Sequence, residues 1–137
     1  MSYGMAAALQ TAVYQHLLAD TGVSALVGAA IYDAVPAGEL GETYVSLGPE
    51  DVRDSSDKSG VGAIHRFTVS VVTQTAGFSA AKEIAAAITD ALGDTSLTLE
   101  RGRLVGLWFE RASARRSGRA GRIRRIDLRF RARLEDN

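Results

Sequence analysis

The chain has 137 residues, 46% hydrophobic and 23% charged, with sixteen basic residues against sixteen acidic ones and no cysteine. That length suits a single domain over residues 1–137 that buries its own core. The lack of cysteine excludes a disulfide framework and a thiolate metal site. The opening MSYGMAAALQ lacks a basic segment and a long apolar run, and no apolar stretch reaches the roughly 18 residues of a membrane helix. The expectation is a soluble protein without membrane contact, made in the cytoplasm and kept there or in an assembly built there.

Charge is unevenly placed. Up to position 100 four basic residues face twelve acidic ones; beyond it twelve arginines face four acids. Such polarity serves binding to nucleic acid or to the acidic part of a second copy.

In chain order, Met5, Leu9, Ala12, Val13, His16 and Leu17 make one apolar stripe, which predicts a helix over 5–18 with Ser2 as a candidate N-cap. His16 lies on that stripe and reads as a packed, hydrogen-bonded histidine. VSALVG (23–28) predicts a short helical turn capped by Thr21. IYDAV (31–35) and TYVSLG (43–48) read as strands, joined by the loop PAGELGE. Residues 49–62, PEDVRDSSDKSGVG, are the most polar stretch and read as an exposed, mobile loop. AIHRFTVSVVTQT (63–75) alternates as a strand, with Phe67, Val69 and Val71 on one face. A helix over 80–92 follows, capped by Ser79 and stopped at C′ by Gly93, its stripe formed by Ala81, Ile84, Ala85, Ile88 and Leu92.

LTL (97–99) reads as a brief strand. LVGLWFERASA (104–114) reads as a long one with Val105, Leu107 and Phe109 inward, and RRSGRAG (115–121) as a tight loop. In the final strand, 122–134, Ile126, Leu128, Phe130, Ala132 and Leu134 alternate with Arg125, Asp127, Arg129, Arg131 and Arg133. Ile123 is out of phase, which predicts a bulge near Arg124. The order predicts an α+β fold: two helices on one face of a mostly antiparallel sheet of four to five strands, ending in a C-terminal β-hairpin.

Catalytic motifs are missing. His16 and His65 sit on different elements, and there is no nucleophile elbow, phosphate-binding glycine loop or paired-histidine zinc motif. Asp51, Asp54 and Asp57 are three apart, whereas an EF-hand calcium loop needs acids two apart followed by glycine. The expectation is therefore no catalysis, no metal and no cofactor. The arginines are more specific. A solvated strand face is equally well served by lysine or threonine, and residues 101–137 contain no lysine. Arginine suits interfacial carboxylates and phosphates because its planar fork makes two-point contacts. Arg125, Arg129, Arg131 and Arg133 are thus candidates for a subunit or partner interface, with Asp51, Asp54 and Asp57 as their acidic complement. Arg115, Arg116, Arg119 and Arg122 are candidates for a lumen-lining or DNA-facing loop.

The ordered set of elements resembles a known family. ALQTAVYQHLLADTGVSALVGAAIYDAVP, YVSLG, HRFTVSVVTQTAGFSAAKEIAAAITDAL and LVGLWFERASARRSGRAGRIRRIDLRFRARLE are similar to successive parts of the tail completion, or tail terminator, proteins of long-tailed phages and phage-like gene transfer agents. Thr43 departs from the pattern, standing where a proline is expected. The resemblance implies a structural virion protein at the tail–neck junction. It would form a homo-oligomeric ring, typically a hexamer, that caps the tail tube and offers a surface to neck or head-completion proteins, with DNA as passing cargo. Two other readings are a head-completion or neck adaptor protein and a nucleic-acid-binding module built on the basic hairpin.

Overall fold

The computed structural model describes residues 3–35, 41–58, 60–93 and 95–136. In chain order it contains α1 (Ala6–Ala19), α2 (Thr21–Val27), β1 (Ile31–Tyr32), β2 (Thr43–Asp54), β3 (Gly62–Thr73), α3 (Ser79–Leu92), β4 (Arg103–Ser117), a 3₁₀ turn (Arg119–Gly121) and β5 (Ile123–Glu135). The class is α+β, with three helices where the periodicity predicted two. The sheet order is β1-β2-β3-β5-β4. Only β1 and β2 run parallel; all other neighbours are antiparallel. The chain leaves β3, passes through α3 to the far edge as β4, and returns as β5 to fill the gap.

The alternation of β5 explains why it sits centrally. Ile126, Leu128, Phe130, Ala132 and Leu134 are all buried. They join Phe67, Val69 and Val71 of β3, Leu9, Val13 and Leu17 of α1, and Ile84, Ile88 and Leu92 of α3 in one core. Burying each large side chain contributes about 1.5–3 kcal/mol. Phe130 is the centre of an aromatic trio, stacked on Phe67 at 5.5 Å and met edge-on by Phe109 at 5.7 Å. His16 ties the helices together, its Nε2 lying 2.8 Å from the Ala91 carbonyl in the last turn of α3. That carbonyl is one of those a helix end leaves unpaired, so His16 is a packed, bonded side chain.

Several expectations are corrected. Residues 49–54 are the outer half of β2, paired with β3 beyond a bulge between Leu47 and Glu50; only 55–61 connect the strands. Their polarity marks a strand at the sheet margin, where alternate side chains meet water. Asp20, not Thr21, caps α2, its carboxylate accepting from the Val23 N–H at 2.9 Å. Phe78 occupies the N-cap of α3, so Ser79 is its first residue; Gly93 ends that helix as expected, in extended backbone. LTL forms no strand. Ser2, and residues 36–40 of the predicted loop, lie outside the described residues. Thr43 opens β2 and its hydroxyl lies 2.7 Å from that of Thr73 on β3, a cross-strand bond that a proline there would lack.

The hairpin departs most. Arg115, Arg116 and Ser117 belong to β4, so the turn is shorter than expected, running from Gly118 to Arg122. β5 has no bulge near Arg124, since Arg116 pairs with Arg124 and Ser117 with Ile123 in regular register. The irregularities lie in β4, at Val105 and Glu110. Each extra residue resets which side chains turn inward. Val105 is therefore turned out, whereas Leu107 and Phe109 keep to the core side; Phe109 stays half exposed because β4 is the sheet edge.

Candidate functional site

The pairing register assembles the helix-free face of the sheet. The odd-numbered positions of β5 lie between Arg66, Thr68 and Ser70 of β3 and Trp108, Arg111, Ser113 and Arg115 of β4. Strand alternation thus brings Arg125, Arg129, Arg131 and Arg133 onto one surface.

These four arginines are not equivalent. Arg125 is anchored: its Nε donates to Asp127 Oδ1 at 2.9 Å and its Nη2 to Ser70 Oγ at 3.2 Å. Asp127 also accepts from the buried Ser70 hydroxyl at 2.6 Å and pairs with Arg115 at 3.6 Å. One carboxylate therefore braces two arginines. Arg133 donates to Ser55 Oγ at 2.6 Å and pins the β2–β3 connection. Arg131 stacks its guanidinium 4.7 Å above the Trp108 ring, a cation–π contact.

Arg129 differs. It faces Arg111 directly across the β4–β5 ladder, and among the described residues neither has an ion-pair partner. Like charges directly opposite one another are destabilising. The same holds for Arg116 opposite Arg124, although Arg124 gains a contact 6.0 Å above the Phe78 ring. By contrast Arg115 opposite Arg125 is offset by Asp127, and Arg66 opposite Arg131 by Glu110, 3.3 Å from Arg66. Arg111, Arg115, Arg125 and Arg129 surround a shallow cleft of about 340 Å³ floored by Thr68 and Asp127. Cations gathered without enough acid beside a cleft attract an anion.

Arg119 and Arg122 are exposed in the hairpin turn, while Arg115 and Arg116 stand at the sheet edge. The three aspartates do not converge. Asp51 pairs with Arg66 in the ladder on the helix-free side, and Asp54 pairs with Ala63 on the other. Asp57 accepts from the Gly60 N–H at 3.0 Å within the connection. A spacing of three along a strand sends two side chains to opposite faces. Among the described residues no group of three or more His, Asp or Glu side chains could hold a metal ion.

Sequence reasoning overlooked Arg111, Trp108 and Phe109. Trp108 and Phe109 are 44% and 49% exposed, adjacent on the edge strand and on opposite sides of it. Phe109 faces the core side opposite Phe130 and Trp108 the helix-free side opposite Arg131; both stay exposed because β4 is the sheet edge. The burial of His65 was not legible in sequence: among the described residues it is completely buried with no hydrogen-bond partner for either ring nitrogen. Its Nδ1 lies 4.0 Å from the Glu50 carboxylate. That burial pushes its pKa down, Glu50 opposing in part.

The described residues thus form a helix-backed α+β sheet with a basic, helix-free face. The chain belongs to the tail completion protein family, matching the family model Tail completion protein gp17 over residues 11–135, and is a structural protein of the virion tail. It is similar to a chain in a solved structure titled "Virion of native gene transfer agent (GTA) particle", with 63% identity, a TM-score of 0.92, and coverage of 98% of this chain and 99% of that one. No curated protein matches it.

Proposed function

We propose that the chain is a non-catalytic tail terminator. It assembles into a closed ring of identical copies, six on the family's pattern. The ring caps the tail tube at the tail–neck junction, meets neck or head-completion proteins on its other side, and lets DNA pass through. Membership of the tail completion family over residues 11–135 carries this reading, and likeness to a chain of a gene transfer agent particle supports the setting.

Within the ring, the helix-free face is turned toward an anionic partner. In this reading the helix layer takes the outside, and the basic sheet face lines the lumen and meets the DNA backbone. Arg111 and Arg129, opposite each other without a paired acid, are its leading contacts. Arg131 and Arg133 are held in place by Trp108 and Ser55, and Arg119 and Arg122 extend the basic surface at the hairpin turn. Asp51 and Asp54 lie on β2, toward the other margin of the sheet, and supply acid toward a neighbouring subunit.

The test is the variant Arg129→Glu, on the interior strand β5. It should fold, form rings and join tails, while the ring's affinity for duplex DNA falls and depends less steeply on salt, each lost phosphate contact reducing the slope by about 0.9. A folded variant that no longer forms rings would make this face a subunit contact instead.

A further inference from the structure

The two margins of the sheet are open and opposite in charge. β1 pairs only with Val45 and Ser46, so among the described residues no strand covers β2 from Leu47 to Asp54. That stretch carries Glu50, Asp51 and Asp54 against Arg53. At the other margin β4 pairs, among the described residues, with β5 alone and runs for 15 residues, against a usual length of about 5–6. Beyond its bulge at Glu110 the register is regular from Arg111 to Ser117. This segment, RASARRS, carries three arginines and no acid. Its helix-side residues Ala112 and Ala114 are exposed, so β4 overhangs the helix layer. A long open edge invites pairing with another strand unless it is covered.

We infer that the ring closes by strand addition, with Arg111–Ser117 of β4 in one copy pairing antiparallel with Glu50–Asp54 of β2 in the next. This rests on the ring reading and specifies how its subunits join. The direction follows from symmetry. Within one sheet β2 and β5 point one way and β3 and β4 the other. Rotation about a ring axis preserves each strand's direction along that axis, so β4 meets the neighbour's β2 antiparallel. A head-to-tail contact of this kind joins two different surfaces and closes a ring.

The register follows from faces and charges. Helices must stay on one side of a continuous sheet. Arg116, Ala114 and Ala112 lie on the helix side of β4, and Glu50, Val52 and Asp54 on the helix side of β2. Setting Ala114 opposite the neighbour's Val52 places Arg116 opposite Glu50 and Arg115 opposite Asp51, with Ser113 facing Arg53. Sliding by two residues in either direction sets Arg53 opposite Arg111 or Arg115, so the charges select this register.

The absence of native cysteine makes cross-linking a clean test. In the inferred register Ser113 and Arg53 are directly opposite. Oxidising assembled Ser113→Cys/Arg53→Cys protein should give a ladder of covalent multimers ending at the closed ring, while each single variant stays monomeric on a non-reducing gel. Rings of normal mass without a ladder would overturn strand addition and leave the ring intact; dimers from either single variant would show like edges meeting. Protein that stays monomeric even with tail tubes present would overturn the ring itself. A second arm uses charge. Asp51→Arg and Arg115→Asp should each reduce assembly at least tenfold while keeping a native circular dichroism spectrum, and their combination should restore it. Failure of the folded double variant to assemble would reject the register.

Discussion

Burial of His65 carries a desolvation cost that grows when its imidazole is charged. The side chain is completely buried, and neither nitrogen is hydrogen-bonded. Burial disfavours the imidazolium and lowers its pKa below the ordinary 6.5, although the Glu50 carboxylate pulls the other way. The unfolded chain therefore takes up a proton at a higher pH than the folded one. Stability is fully present above about pH 6.5 and falls as pH drops from there toward the folded value. The melting temperature should decline between pH 7.5 and pH 5. In His65→Leu that decline should be shallower, with stability at pH 7.5 kept or raised, because replacing an unbonded polar group by an apolar one of similar size removes a desolvation cost. A variant as acid-sensitive as the parent would remove His65 from the account. Nothing in the local sequence AIHRF distinguishes a buried, unbonded histidine from an exposed one. That difference is set by the cross-strand neighbours Val52 and Ala132.

At the scale of the element, legibility followed regularity. β5 was readable because its alternation is unbroken over Ile126–Leu134, and α3 because its small apolar stripe is regular and buried at Ala81, Ile84, Ala85, Ile88 and Leu92. β4 was misread where Val105 and Glu110 interrupt its pairing, since a bulge exists only relative to a partner strand. The polar half of β2 was misread for a similar reason. A strand at the sheet margin looks like a loop when its partner supplies the hydrogen bonds. The entry to β4 depends on one backbone position. Gly102 has φ +78°, and a Cβ there would lie 2.8 Å from the Glu135 carbonyl oxygen. Left-handed backbone costs an L-residue roughly 1–2 kcal/mol, and the close approach adds strain. Gly102→Ala should lose about 2 kcal/mol or more in chemical denaturation. A loss below about 0.5 kcal/mol would show that the β4 entry adjusts freely.

At the scale of the whole molecule, the charge polarity read from composition becomes geometry. Arg125, Arg129, Arg131 and Arg133 share one strand face, as period-2 alternation, a local signal, predicts. Their differing roles were not legible. Whether an arginine is braced by Asp127, stacked on Trp108 or left opposite another arginine depends on the β3–β5–β4 register. The acidic residues were expected to gather in one loop; instead Asp51 and Asp54 lie on a strand edge and point to opposite faces. A folded subunit with one acidic edge, one basic edge and a basic sheet face is suited to joining copies side by side around DNA. The most direct measurement is electron microscopy of particles carrying a label on this chain. The account predicts ring-shaped density at one place per particle, where the tail meets the neck. Label spread along the tail, or confined to the distal tip or the head, would contradict it.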